Sequence, residues 1–193
     1  MGADAILLAR HGATEASGRG LVVGRRDIPL TATGREQALR LGELVRDRGL
    51  AAVYASDLRR AVETAELATR GLGLALRIDP RLAETDKGDW EGRLLEEVKR
   101  TEREAYDVLR HATASFRYPG GESLTEHVAR VTAALGDVAR GPLPALVVCH
   151  AGTVRCALAL AHPDGLAAWR GFKVPNATPV AFDPACLPQA TQR

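Results

Sequence analysis

Residues 6–14 read ILLARHGAT, a short apolar run that ends abruptly in an arginine and a histidine followed by a glycine. The apolar run is typical of a buried strand, so Arg10 and His11 are expected at its carboxyl end. Because burial of an unpaired charge is costly, this end must face a structural partner or an anionic ligand. Residues 145–152, ALVVCHAG, repeat the arrangement with His150.

Short apolar segments alternate with helical patterns along the rest of the chain. Strands are predicted at 6–9, 52–55, 74–78, 145–149 and 178–182, and helices from Thr31 or Thr33 to just before Gly49 and over 57–69, 94–113, 123–139 and 152–162. This alternation predicts an α/β fold, a three-layer α/β/α sandwich with a mostly parallel central sheet. Residues 1–193 are expected to form a single domain, with residues 85–122 as a small helical cap insertion over the functional site.

Composition excludes several classes of function. The 26 basic and 24 acidic residues give a net charge of +2 and form no basic stripe, which argues against nucleic-acid binding. No apolar run reaches the roughly 20 residues of a membrane span, and the N-terminus shows no secretory pattern. Three cysteines without CxxC spacing indicate a reducing compartment, so a cytoplasmic location is expected.

Ligands of open α/β sheets bind at the carboxyl ends of the strands. If strands 6–9 and 145–149 are neighbours, His11 and His150 converge there, and strand 52–55 adds at least one arginine, Arg60, to the same rim. Guanidinium groups match phosphate oxygens bidentately, and a neutral imidazole can act as a nucleophile. The expected ligand is therefore a phosphoryl group.

Five segments carry a family resemblance, and His150 follows them: LARHGATE (8–15), DIPLTATGREQA (27–38), SDLRRAVETA (56–65), LAETDKGDWEG (82–92) and PGGES (119–123). Together and in this order they resemble the histidine phosphatase superfamily, the phosphoglycerate-mutase-like proteins. Each segment alone is a weak signal, but five in register are specific. The resemblance covers most of the chain.

The resemblance implies a phosphomonoester hydrolase that works through a phosphohistidine. It implies His11 as the nucleophile and Glu84 as the proton donor to the leaving oxygen and then the base that activates water. It also implies residues that hold phosphate and substrate: Arg10, Arg60, His150, Ser17, Ala151 and Gly152. No metal and no cofactor are expected, because side chains supply the positive field. The expected partner is a small phosphorylated molecule rather than nucleic acid or membrane, and a homodimer is left open.

Three positions depart from the family pattern. Ser17 stands where the family often has asparagine, and Leu21 aligns with a loop arginine that Arg19 or Arg25 could replace. Ala151 stands where glycine is common. These departures concern outer contacts to the phosphate or substrate rather than the core chemistry.

Three alternatives stay open beside the hydrolase. A phosphoglycerate-mutase-type transfer shares the phosphohistidine, but the short interval from Glu84 to His150 and the PGGES segment favour the phosphatase branch. Cys149-x5-Arg155 fits the loop of a cysteine-dependent phosphatase, which would leave Arg10-His11-Gly12 without a role. A non-catalytic phospho-ligand-binding protein is the third alternative, and the complete set of reactive residues argues against it.

Other residues have simpler expectations. His111, His127 and His162 show no metal-ligand spacing and are expected to be exposed. Four of the eight aromatic residues lie between Trp90 and Tyr118. They either favour a substrate with an apolar or ring-bearing group or pack the cap onto the domain.

Overall fold

A five-stranded sheet lies at the centre of the computed structural model, which describes residues 5–111, 114 and 116–188. The strands are β1 (Ile6–Arg10), β2 (Ala52–Ala55), β3 (Leu76–Ile78), β4 (Ala145–Cys149) and β5 (Pro179–Phe182). Their order is β3-β2-β4-β1-β5, and only the pairing of β1 with β5 is antiparallel. The predicted mostly parallel sheet is therefore confirmed.

Helices cover both faces of this sheet. In chain order the α-helices of the described residues are α1 (Ala32–Val45), α2 (Arg59–Ala68), α3 (Leu95–Thr101), α4 (Arg103–His111), α5 (Leu124–Ala139) and α6 (Ala151–Leu160). Of these, α1, α2, α5 and α6 flank the sheet. Side chains alternate along a strand, so Leu7 and Ala9 pack towards α1 and α2 while Ile6 and Leu8 pack towards α5 and α6. The predicted three-layer α/β/α sandwich is confirmed.

Short 3₁₀ helices join these elements: Arg46–Arg48, Pro80–Leu82, Gly88–Trp90, Gly165–Gly171 and Pro184–Cys186. None of the helices within the described ranges is both long enough and apolar enough to cross a membrane.

Helix α1 begins after Thr31, the first of the two predicted starts. The Oγ1 atom of Thr31 accepts the N–H of Gly34 at 3.1 Å and caps the helix. The predicted strand 74–78 is shortened to Leu76–Ile78.

The prediction of one helix over 94–113 is wrong, because the backbone of Glu102 separates α3 from α4. Arg93, which precedes α3, donates to Glu102 at 3.1 Å and to Thr101 Oγ1, and these bonds stabilise the break. Residues 112 and 113 of that prediction lie outside the described residues.

The register of β1 and β4 positions the two histidines. Arg10 pairs with Cys149, so His11 and His150 follow the two strands at the same edge of the sheet. The N–H of His11 donates to the carbonyl oxygen of Cys149 at 2.9 Å and extends this pairing by one residue. The neighbouring strand β2 ends beside them, where the Ser56 N–H donates to Val148.

Candidate active site

A cavity of about 550 Å³ lies at this edge of the sheet, a volume typical of small-molecule sites. Among the described residues, its charged lining consists of four cations and one carboxylate: Arg10, Arg60, Lys87, Arg155 and Glu84. This balance favours an anionic ligand. Within the same ranges, no group of three or more His, Cys, Asp or Glu side chains could hold a metal ion.

His11 lines the cavity, and its hydrogen bonds define its tautomer. Its Nδ1 lies 2.7 Å from the carbonyl oxygen of Gly12, which can only accept, so Nδ1 carries the proton. Nε2 keeps its lone pair, to which the Nε–H of Arg60 donates at 3.3 Å. Burial, and next the charge of Arg60, lower the pKa of His11 to about 3. At pH 7 the ring is neutral and presents a nucleophilic nitrogen beside a guanidinium group.

Two guanidinium groups flank this imidazole. Arg60, at the start of α2, is buried and donates to the carbonyl oxygens of Arg26 at 2.7 Å and Gly24 at 2.8 Å. Arg10, at the end of β1, donates to Val174 at 3.2 Å, and its buried Nε has no partner in the described part of the chain. Burial lowers the pKa of both groups, which nevertheless remain charged because the ordinary arginine pKa is above about 12.

The structure brings His150 to His11, with ring centroids 5.2 Å apart. Its Nε2 lies 2.9 Å from the Oγ of Ser56, and its Nδ1 is buried without a partner among the described residues. Burial, and next the charge of Arg60, keep the pKa of His150 well below its ordinary range. The ring is completely buried and lies beside the cavity rather than on its wall.

Glu84 lies on the cavity wall and is held by backbone N–H groups. Thr85 donates to Oε1 at 2.9 Å, and Gly152, in the first turn of α6, donates to Oε2 at 3.2 Å. A Cβ at Gly152 would overlap Oε1, so a larger residue there would displace the carboxylate. Burial opposes ionisation of Glu84, but the charge of Lys87 and the Thr85 N–H contribute to a pKa well below the ordinary range.

The other predicted substrate contacts, Ser17, Ala151 and Gly152, all line the cavity. The Oγ of Ser17 accepts the N–H of Thr14 at 3.0 Å, so this side chain also holds the loop after β1.

The candidates to replace the family's loop arginine do not reach the cavity wall. Arg19 pairs with Glu15 at 3.3 Å, with both side chains exposed, and Arg25 lies 3.8 Å from Glu122. Neither residue compensates for Leu21, which itself lines the cavity.

Two cations on the cavity wall, Lys87 and Arg155, were not predicted as site residues of the hydrolase, and Arg155 was named only for the cysteine-dependent alternative. Arg155 lies one turn into α6, where its Nε donates to the carbonyl of Phe172 at 3.0 Å and its guanidinium lies 5.3 Å from the Trp169 ring. Its spacing of four residues from Ala151 is the signal that could have identified it. The loop position of Lys87 offers no such periodic signal.

Cys149 is unsuited to act as a nucleophile. It is completely buried in β4 and does not line the cavity, and burial raises the pKa of its thiol. The geometry therefore gives no support to the Cys149-x5-Arg155 mechanism, although Arg155 does face the cavity.

The prediction that His127 is exposed is wrong. His127 lies on the buried face of α5, between Leu124 and Val131, and is completely buried. Its spacing of three and four residues from these two side chains places it on the apolar face of the helix. His111 and His162 are exposed, as predicted.

Comparison with known proteins agrees with this geometry. The sequence pattern of the histidine phosphatase superfamily (branch 1) matches residues 6–185, so the chain belongs to this superfamily. It is 35% identical over 167 residues to a probable phosphoglycerate mutase, GpmB, from Salmonella paratyphi B, which covers 85% of this chain and 76% of the relative.

Two of the similar solved structures are phosphatases. The alpha-ribazole phosphatase of Shigella flexneri superposes with a TM-score of 0.81 at 30% sequence identity. The match covers 93% of this chain and 90% of the phosphatase chain. A mycobacterial glucosyl-3-phosphoglycerate phosphatase in complex with VO3 gives a TM-score of 0.80 at 28% sequence identity. This match covers 92% of this chain and 91% of the phosphatase chain. The relatives thus support an enzyme of the phosphatase or mutase type.

Proposed function

We propose that this protein is a phosphomonoester hydrolase that forms a phosphohistidine at His11. One observation carries the proposal: a neutral His11, with its Nε2 lone pair beside Arg60, lines the same cavity as the carboxyl of Glu84. This combination provides a nucleophile, a cation for the phosphoryl oxygens and a group that can exchange a proton with the leaving oxygen.

In the first half-reaction, Arg10 and Arg60 hold the phosphoryl oxygens. The His11 Nε2 attacks phosphorus, the bond from phosphorus to the ester oxygen breaks, and that oxygen takes the proton of Glu84. The negative charge of the bound phosphate raises the pKa of Glu84 above its value in the free enzyme, which favours the protonated form that this step needs.

In the second half-reaction, the Glu84 carboxylate takes a proton from water. The resulting oxygen attacks the phosphohistidine, the N–P bond breaks, and inorganic phosphate leaves. His11 and protonated Glu84 are restored for the next cycle. His150 supports this cycle as a neutral, fully buried neighbour of His11.

Residues 85–122 form the cap in this proposal, and a small organic phosphate is the substrate. Lys87, Leu95 and Tyr118, which belong to this segment, line the cavity. Trp90 and Phe116 are buried with ring centroids 5.6 Å apart and belong to the same hydrophobic core cluster as Leu8 and Leu124, which supports packing of the cap onto the domain. The proposal also keeps a cytoplasmic location, since the three cysteines are unpaired.

A mutase is the second candidate, and one observation favours it. Lys87 and Arg155 are cations on the cavity wall beyond the two that flank His11. They would suit a substrate with a second anionic group, such as the carboxylate of a phosphoglycerate.

A single set of assays separates the candidates. The purified protein is incubated with a panel of metabolite phosphomonoesters and with 2- and 3-phosphoglycerate, and both released phosphate and isomer interconversion are measured. Phosphate release that VO3 inhibits is expected. Interconversion of the phosphoglycerates without release would contradict the hydrolase, and turnover of neither kind would favour a phospho-ligand-binding protein.

A further inference from the structure

His127 is linked to Glu84 through a single hydroxyl group. The Oγ1 of Thr85 lies 2.6 Å from His127 Nδ1 and 3.3 Å from Glu84 Oε1. On the other side of the ring, His127 Nε2 lies 3.2 Å from the Oγ1 of Thr153. All four side chains are at least nine-tenths buried, with exposed fractions of 0% for His127, 1% for Thr85, 2% for Thr153 and 8% for Glu84.

The acceptors around Thr153 define where the His127 proton lies. The Thr153 hydroxyl donates towards the carbonyl oxygens of Ala83 at 3.1 Å and Leu82 at 3.3 Å, which can only accept. Its oxygen is then an acceptor for His127, so Nε2 carries the ring proton. Burial lowers the pKa of His127 to about 4, and the neutral ring has a free lone pair on Nδ1.

Two acceptors therefore compete for the one proton of the Thr85 hydroxyl, and His127 is the closer of the two. A hydroxyl that donates to His127 turns a lone pair towards Glu84. This lone pair repels a carboxylate, but it accepts the hydrogen of a protonated carboxyl group.

We propose that His127 is a positioning residue that withholds the Thr85 hydroxyl proton from Glu84 and thereby helps Glu84 to keep its own proton. The proposal rests on the hydrolase function above, in which protonated Glu84 serves the leaving oxygen. Without an acceptor at position 127, the Thr85 hydroxyl would turn to Glu84 and stabilise the carboxylate.

Other titratable and charged groups also face this network. Those around Glu84 are Arg10, His11, Arg60, Lys87, Tyr118, Cys149, His150 and Cys156, and those around His127 are Lys87, Glu122 and Arg130. Arg130 is bonded to Glu122 and to backbone carbonyl oxygens. These groups remain when only position 127 is changed. His127→Leu also removes the Nε2 donor to Thr153, so the two further variants below are needed to isolate the acceptor on Nδ1.

The test compares two esters that differ in their need for a proton. For β-glycerol phosphate, whose alkoxide needs the Glu84 proton, His127→Leu is expected to lower kcat/KM at pH 7 about tenfold, the effect of one hydrogen bond to a charged group. The high-pH decline of kcat/KM is expected to move to lower pH. For 4-nitrophenyl phosphate, whose phenolate leaves without a proton, kcat/KM is expected to stay unchanged.

Two further variants test whether the effect runs through Thr85. His127→Asn keeps an acceptor near Nδ1 and is expected to restore the wild-type ratio between the two esters. In a Thr85→Val background the His127→Leu change is expected to have no further effect on that ratio, because the hydroxyl that links the two residues is absent.

A measurement on the wild-type protein does not depend on how the variants fold. ¹⁵N NMR is expected to show His127 neutral at pH 7 with the proton on Nε2. A charged ring, a proton on Nδ1, equal losses for both esters, or an undiminished effect in the Thr85→Val background would each overturn the role of His127. Wild-type protein that hydrolyses neither ester would instead contradict the proposed function.

Discussion

The two walls of the cavity are built in different ways. The strand-end wall consists of Arg10, His11 and Arg60. Three hydrogen bonds hold Arg60 beside His11, and both of these side chains are buried. The cap wall contributes half-buried Lys87 and Leu95, and its helices α3 and α4 carry charged residues on the surface. The first wall is preorganised for one charged group, whereas the second is free to vary with the substrate.

This difference separates reaction from selectivity. A buried, hydrogen-bonded cation beside a neutral imidazole suits phosphoryl transfer whatever the ester carries. In the proposed function, the cap wall would instead contact the rest of the ester. The walls meet at Glu84, which accepts the N–H of Gly152 from α6 and is influenced by the charge of Lys87.

The largest expected effect tests the strand-end wall. His11→Ala removes the nucleophile, so phosphate release is expected to fall about 10⁴-fold or more. Steady-state assays of released phosphate measure this loss. His111→Ala, which removes an exposed histidine of α4, is the matched control and is expected to keep full activity. Equal activities of the two variants would contradict His11 as the nucleophile.

A second prediction concerns the junction of the walls. Gly152→Ala places a methyl group against Glu84 Oε1, so kcat/KM for an alkyl phosphate is expected to fall about 100-fold through loss of acid–base catalysis. The control is Gly136→Ala on α5, where the nearest atom, on Arg140, is 3.6 Å from the added carbon. A Gly152→Ala enzyme with the kcat/KM of the wild type would show that the position of Glu84 is not critical.

A third prediction concerns the cap wall and pH. Lys87 lowers the pKa of Glu84, so Lys87→Gln raises that pKa and keeps Glu84 protonated to higher pH. The high-pH decline of kcat/KM for an alkyl phosphate should therefore move to higher pH, with a change of about threefold on that limb. Lys173→Gln, at an exposed lysine, should leave the profile in place. A shift to lower pH for Lys87→Gln would disprove this coupling.

The smallest expected effect concerns Ser123, the residue that directly follows the cap segment. Ser123 caps α5 by accepting the N–H of Glu126 at 3.1 Å, so Ser123→Ala is expected to lower the free energy of unfolding by about 1 kcal/mol. Ser123→Asp keeps an acceptor and should restore most of that loss. Chemical denaturation measures both, and kcat/KM should not change. A large loss of activity in Ser123→Ala would mean that this helix start also shapes the cavity.

The strand ends could be predicted because two apolar runs are each followed within two residues by a histidine. In a parallel sheet such ends meet at one edge, which is where His11 and His150 lie. The register that pairs Arg10 with Cys149 could not be read from the sequence, since apolar runs fit a neighbouring strand in more than one alignment.

The cap was harder to predict because its signals are long-range. The break at Glu102 has no glycine or proline, and it is stabilised by Arg93, nine residues earlier. Lys87 lies in a loop without periodicity. The absence of metal-ligand spacing says nothing about burial, whereas the spacing of His127 from Leu124 and Val131 places it on the buried face of α5.

The hydrogen bond from His11 Nδ1 to the Gly12 carbonyl has a regiochemical consequence. With Nδ1 committed as a donor, only Nε2 can form the bond to phosphorus. A covalent species trapped during turnover should therefore be a single isomer, 3-phosphohistidine, and antibodies specific for the 1- and 3-isomers would distinguish it directly.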